Sequence, residues 1–242
     1  AWIGRTLLGR WPLALLGAGM LATSFRFAFT ARRAQLDVLL CGFELLAIAL
    51  FLVLEIKRGG VEQARQSPGI IAALHAALGA AALVKGPVGW LPLAIFTAYL
   101  AWQGRAGAVR GIFPIWSWAI SIGPLAAWAV TAVTFAPAGF AEVAIGENLF
   151  GRFFAGTSHA RPFYYFLYQL PLDFLPWSAL LPFGIAVAWR TARGKDPQPR
   201  ERPPSQLAAR FLICWAAIPF LFFSLSAGKR GVYLLPIFPA LS

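Results

Sequence analysis

Apolar residues run along this chain in long stretches separated by short polar interruptions. They cover residues 11–29, 37–56, 68–84, 87–102, 112–135, 163–189 and 208–227, and a further one opens at residue 232 and runs to the last residue. Stretches of this length suit a helix crossing the roughly 30 Å of hydrocarbon in a bilayer. The pattern predicts an all-α, polytopic transmembrane protein, with one membrane domain over residues 1–242. Two longer polar segments stand out, residues 136–161 and 190–207, and both are expected as connections outside the lipid.

Composition agrees and adds an orientation. Hydrophobic side chains make up 59% of the 242 residues and charged ones 12%, and the mean hydropathy is +0.68, which excludes an ordinary soluble domain. A net charge of +12 would suggest nucleic acid in a soluble protein. Here the basic residues fall in short loops, so the charge reports orientation in the membrane and no nucleic-acid partner is expected. Arg5 and Arg10, then Lys57, Arg58 and Arg65, then Arg105 and Arg110, then Arg190, Arg193, Lys195, Arg200 and Arg202 alternate correctly to share one side, the cytoplasmic one. Pro197, Pro199, Pro203 and Pro204 make the last loop a connection that cannot continue a helix. Cys41 and Cys214 sit within expected spans without metal-ligand spacing, so core packing is expected of them.

The remaining turns face the other side and hold the chemistry. They carry Arg32, Arg33 and Asp37, then Lys85, then the polar segment with Glu147, Asn148, Arg152, His159, Tyr164 and Tyr165, and finally Lys229 and Arg230. Four separated segments thus deliver carboxylates, cations, an imidazole and tyrosines to one face, as a shared polar pocket requires. Ordinary interfacial anchoring, with Lys and Arg snorkelling and Tyr in the aromatic belt, is the alternative. Lys85 precedes a Gly-Pro break, so its helix must end there, where the dipole favours a cation. Asp37 heads an apolar helix, where the dipole favours a carboxylate, and the nearby Arg32 and Arg33 are expected to pair with it and keep it ionised. Glu44 lies mid-span with no partner legible in the sequence. His75 is expected to be a hydrogen-bonded core histidine. His159 could hold a metal, orient a substrate or be solvated, but no second ligand stands at recognisable spacing, so no metal or cofactor is expected.

The motifs have a further pattern in their order. Arg32/Arg33 to Asp37, KGPVG at residues 85–89, ENLFGRF at 147–153, His159 followed by PFYYFL from residue 162, FLPWSALLP at 174–182 and FFSLSAGKRGVYLLPIFPAL at 222–241 together resemble the bacterial polyprenyl-phosphate-dependent glycosyltransferases. That group includes the lipid A aminoarabinose transferase and the related protein O-mannosyltransferases, and the resemblance covers nearly the whole chain.

The resemblance implies a GT-C fold with a periplasmic juxtamembrane segment at residues 136–161, in the bacterial inner membrane, with its site facing the periplasm or cell exterior. It implies a polyprenyl-phosphate-linked sugar as donor and a lipid, lipid A-like, or a protein as acceptor. Asp37 matches the family's second acidic position, near acceptor activation; Lys85 and Arg152 match cations around the donor phosphate. Glu147 and Asn148 open the same motif as Arg152. His159 and Tyr164 or Tyr165 match the lining after the long periplasmic loop, and Lys229, Arg230 and Tyr233 match a region near the cavity. The family's principal catalytic Asp lies in a first periplasmic loop that would precede Trp2. The chain is therefore expected to be an internal piece of a longer protein, lacking that loop and a C-terminal part and inactive alone. A transporter or flippase of a charged lipid is the rival reading, one that paired broken helices at mid-membrane depth would favour.

Overall fold

The computed structural model describes residues 1–58, 60–136, 139, 160–194 and 204–242. Every regular element among them is helical. In chain order these are α1 (Trp2–Leu8), α2 (Trp11–Thr23), α3 (Phe25–Arg32), α4 (Leu36–Leu52), α5 (Pro68–Lys85), α6 (Leu91–Trp102), α7 (Val109–Ile112), α8 (Ile115–Phe135), α9 (Tyr165–Asp173), α10 (Leu181–Ala192), α11 (Pro204–Leu225) and α12 (Phe238–Leu241). Helices are what lipid demands, because each satisfies its own backbone.

Among the described residues, four helical runs are long and apolar enough to cross a membrane: Leu36–Lys57, Pro68–Trp102, Ile115–Phe135 and Ser205–Leu225. The second counts 35 residues, which as one straight helix would reach about 52 Å, far beyond the hydrocarbon core. It folds back instead. Gly86 ends α5 with φ of 68°, a tight turn Gly86–Trp90 follows, and Gly89 lies so close to the α5 backbone that a Cβ there would overlap Ala81 and Ala82. Hence α5 and α6 run antiparallel, as two passes. Lys85 at the end of α5 meets Asp37 at the start of α4, while Arg105 beyond α6 meets Glu55 beyond α4. These two ion pairs mark the opposite ends of the bundle.

Aromatic packing holds the bundle between those ends. The Phe51 and Phe96 rings stack with centroids 4.1 Å apart, Phe211 stacks on Phe51 at 5.8 Å, and Tyr99 and Trp215 close the cluster edge-on. In lipid the surroundings are as apolar as the core, so this contact energy and close backbone approach must do the work of the hydrophobic effect. Close approach decides the α5–α8 crossing. A Cβ at Gly79 would lie 2.9 Å from the Ile120 carbonyl oxygen, and beside it Trp90 Nε1 donates to Ser121 Oγ at 2.8 Å. His75 is the expected core histidine, its Nε2 2.9 Å from the Ile112 carbonyl oxygen and 3.0 Å from Ser117 Oγ. Cys41 and Cys214 are free and buried. Replacing Gly79 by Leu should force α8 away from α5. The expected cost is about 1–3 kcal/mol, read as a lower unfolding midpoint of the detergent-solubilised protein; an unchanged midpoint would contradict this packing.

Two expected spans are not single helices. The stretch 11–29 breaks at Ser24 into α2 and α3, bent by 64°, and the stretch 163–189 breaks at residues 174–176, where the chain turns by 117°. The reason is that the two breaks complete each other. Phe25 N–H donates to the Leu175 carbonyl at 2.8 Å, Trp177 Nε1 donates to Thr23 Oγ1 at 2.9 Å, and Arg26 pairs with Asp173 at 2.6 Å. Backbone groups freed by each break thus find partners in the other, which makes irregular chain tolerable at this depth. The stretch opening at residue 232 is a short apolar helix, a 3-10 segment Gly231–Ile237 that runs on into α12, with its Pro236 carbonyl taken by Trp215 Nε1 at 2.9 Å.

The basic-loop end is tied by side chains. Arg105 Nε donates to Glu62 Oε1 at 2.8 Å and its guanidinium also binds Glu55, and hydrogen bonding to Glu62, then to Glu55, raises its pKa above the ordinary arginine value. Arg210 Nε donates to the Ala192 carbonyl at 3.0 Å and Gln206 Nε2 to the Gly194 carbonyl at 2.9 Å. In this way α11 caps the exposed carbonyls at the end of α10.

Candidate functional site

The end of the bundle opposite Arg105 is organised around one short segment, residues 226–233. Its residues reach three groups of side chains supplied by distant parts of the sequence. In the first, Asp37 in the opening turn of α4 forms an ion pair with Lys85 at the last position of α5, and the Lys85 ammonium lies 4.7 Å from the centre of the Tyr233 ring. Each helix end suits its charge: the N-terminal dipole favours Asp37, the C-terminal one favours Lys85. The Lys85 side chain is 28% exposed and that of Asp37 15%, so the pair is desolvated in part yet reachable. Arg32 and Arg33 do not pair with Asp37, contrary to expectation. The physical reason is that they end and cap α3, and the Arg33 guanidinium carbon instead lies 4.3 Å from the centre of the Phe29 ring.

Two turns further along α4, on the same face as Asp37, Glu44 is 3% exposed. Its Oε1 has no hydrogen-bond partner among the described residues.

The second group is the Arg26–Asp173 pair. Asp173 Oδ1 also accepts from Gln169 Nε2 at 2.7 Å, and Gly231 is pressed so close that a Cβ would overlap the Asp173 carboxylate. Neither Arg26 nor Asp173 was among the expected site residues. The signal was present, since each is a lone charge inside an apolar stretch, and such residues pair with one another. The third group is Lys229, which is 4% exposed and donates to the carbonyls of Arg161 and Ser226. A backbone bridge between Ala160 and Gly228 runs beside it. Its charge is spent on fixing the chain that leads into α9.

The other expected residues divide as follows. Tyr165 packs with Tyr233 against the buried cluster of Phe166, Phe174 and Phe223. Tyr164 is 49% exposed, edge-on to Phe163, and Arg230 is exposed at the surface of the turn. Glu147, Asn148, Arg152 and His159 lie outside the described residues.

A cavity of about 670 Å³ opens beside this region, at the joined breaks of the two bent pairs. Arg32, Arg33, Phe25, Phe29, Leu175 and Pro176 line it.

None of the protein-family models searched matches the chain. Among curated proteins it is 31% identical over 169 residues to undecaprenyl phosphate-alpha-4-amino-4-deoxy-L-arabinose arabinosyl transferase 2 of Pseudomonas fluorescens, which covers 68% of this chain and 26% of that protein. It is 33% identical over 175 residues to the corresponding transferase of Pseudomonas aeruginosa, covering 67% of this chain and 28% of that one. The chain thus spans little more than a quarter of the length of these relatives. Among solved structures, ArnT from Cupriavidus metallidurans bound to undecaprenyl phosphate superposes with a TM-score of 0.75 at 25% identity, over 98% of this chain and 40% of ArnT. The same enzyme in the apo state gives a TM-score of 0.71. With sequence and fold in agreement, the chain belongs to the bacterial polyprenyl-phosphate-dependent glycosyltransferases of the GT-C fold, in the group of the aminoarabinose transferases.

Proposed function

We propose that the full-length protein transfers a sugar from a polyprenyl-phosphate donor to a lipid acceptor resembling lipid A, at the Asp37 end of the bundle, and that this end faces the periplasm. The sugar class is an amino-pentose, by analogy with the names of the relatives. The observation that carries this reading is the Asp37–Lys85 pair held under Tyr233. It sets a carboxylate and an ammonium side by side, reachable from outside, on the face where the basic-loop rule puts the periplasm.

The chemistry divides between the two. An ammonium has three N–H donors. With one given to Asp37, Lys85 keeps two for the donor phosphate, whose negative charge grows as the anomeric C–O bond breaks. Asp37 is placed to orient the acceptor hydroxyl and take its proton as that oxygen attacks the anomeric carbon. The phosphate leaves on its lipid, and direct displacement inverts the anomeric centre. The resemblance implies a principal carboxylate besides Asp37, with which Asp37 shares the handling of the acceptor hydroxyl. Glu147, Asn148, Arg152, His159, Tyr164, Tyr165 and Arg230 are assigned to the surrounding lining, while Lys229 contributes by anchoring the turn that presents Tyr233.

The joined helix breaks do not argue for transport. They are bonded to each other by a backbone hydrogen bond, an indole hydrogen bond and an ion pair, whereas alternating access needs elements free to move apart. The test is sugar transfer by membranes carrying the full-length protein, supplied with an undecaprenyl-phosphate-linked aminoarabinose and a phosphorylated lipid acceptor, with products read by mass and anomeric configuration. Glycosylated lipid with an inverted anomer is expected. No transfer would overturn the proposed activity, and a retained anomer would overturn the single-displacement mechanism.

A further inference from the structure

A groove of about 460 Å³ runs from the Arg105 end of the bundle along α6. Leu93, Ala94, Ala98 and Ala101 form one wall from a single face of α6, and Phe113 with Trp118 forms the other. The lining presents no free polar group. Thr97, which also faces the groove, has its hydroxyl bonded back to the Leu93 carbonyl at 2.8 Å. The aromatic wall is fixed in advance: the Phe113 and Trp118 rings stack at 5.5 Å, and His75 stands edge-on to both, held in turn by the Ile112 carbonyl and Ser117. Because α8 packs chiefly on α5, the space between α8 and α6 stays open.

Every outer face of a membrane protein meets acyl chains, so an apolar lining alone specifies nothing. Length and charge do. From Leu93 to Ala101 the helix rises about 12 Å, close to one leaflet of a hydrocarbon core that is roughly 30 Å thick. A helix about 10 Å across would need roughly twice the groove's volume over that distance, whereas one extended acyl chain is thinner. At the mouth, Arg110 in α7 is exposed and stands three residues before Phe113. The carboxylates of this end, Glu55 and Glu62, both hold Arg105, and among the described residues Arg110 has no ion pair. An uncompensated guanidinium above an apolar groove matches a phosphate above its chain. We propose that this groove binds one acyl chain of an anionic phospholipid from the leaflet at the basic-loop end, with the lipid's phosphate held by Arg110. The site lies away from Asp37 and Lys85 and takes no part in the proposed transfer. Its lipid bridges α6 to α8, so that α8 is no longer anchored through α5 alone.

The test uses the full-length protein, delipidated in detergent, with dioleoyl phosphatidylglycerol and dioleoyl phosphatidylcholine as probes. Retained lipids are counted by native mass spectrometry, and the unfolding midpoint is followed across the same titration. Arg110→Gln removes the headgroup contact. Ala94→Phe fills the groove from its exposed side and keeps the charge, while Arg5→Gln removes a basic-loop charge from α1, which packs on α2. In the parent protein one phosphatidylglycerol should bind saturably and raise the midpoint, with phosphatidylcholine bound about tenfold more weakly. Arg110→Gln should lose that preference, Ala94→Phe should bind neither lipid at this site, and Arg5→Gln should match the parent. Since Arg110→Gln leaves the groove untouched, it decides the matter even where Ala94→Phe does not fold. A parent that retains no phosphatidylglycerol would mean that something else fills the groove, and would overturn the proposal. So would an unchanged preference in Arg110→Gln, or undiminished binding to folded Ala94→Phe. An equal loss in Arg5→Gln would also overturn it, reducing the effect to general attraction between a basic surface and anionic lipid. Sugar transfer is not read in any arm, so the outcome is independent of the proposed reaction.

Discussion

Replacing Lys85 by Ala in the full-length protein is expected to lower turnover by about tenfold to a thousandfold, the range for losing one charge that stabilises a leaving group. The loss has two components that can be separated. Lys85 compensates Asp37 in the resting structure, so its removal leaves a largely buried carboxylate without a partner, a structural defect. It also removes the cation from beside the donor phosphate, a catalytic one. The double variant Asp37→Asn with Lys85→Gln takes away both charges and should recover the unfolding midpoint lost in Lys85→Ala while remaining inactive. A double variant that regains both stability and turnover would make the pair a structural staple and remove it from the active site. Tyr233→Leu should have a smaller effect, because a cation–π contact at a partly exposed site contributes only about 0.5–1 kcal/mol.

The second large effect is expected at the other ion pair held by the same segment, Arg26–Asp173. Arg26→Ala should destabilise the protein by about 3–5 kcal/mol, the cost of leaving a buried charge without its partner, because the Asp173 side chain is only 3% exposed. The pair also stands under Gly231, so the defect should reach the turn that carries Tyr233. Gly231→Ala pushes on the same carboxylate from the other side and should lower both the unfolding midpoint and turnover. Unfolding midpoints of the two variants, with Arg26→Gln plus Asp173→Asn as the charge-free control, provide the measurement. The control should be more stable than Arg26→Ala, since a neutral buried pair carries no unpaired charge. An Arg26→Ala variant as stable as the parent would mean that Asp173 is solvated, contrary to the structure.

Both effects bear on what was legible beforehand. The alternation of basic loops correctly grouped Arg105 at one end and Asp37 with Lys85 at the other, since short basic loops stay on the side where they are made. Apolar length correctly located the passes through α4, α5, α6, α8 and α11. It misread the stretches 11–29 and 163–189 as straight spans, because hydropathy measures only preference for lipid and says nothing of direction. Arg26 and Asp173 were the local warning, and each becomes interpretable only with the other in view, 147 residues away.

By itself, the sequence determined that this protein is a helical membrane protein and which residue types gather at one end of it. Those properties depend on composition summed over short windows, where each residue's transfer energy counts alone. Tertiary structure decided the pairings. It gave Asp37 to Lys85 and not to the nearby arginines, spent Lys229 on backbone carbonyls, and joined two helix breaks into one cavity. The reason is that a buried charge or an open carbonyl must find a partner wherever the fold brings one, and separation along the chain does not constrain which.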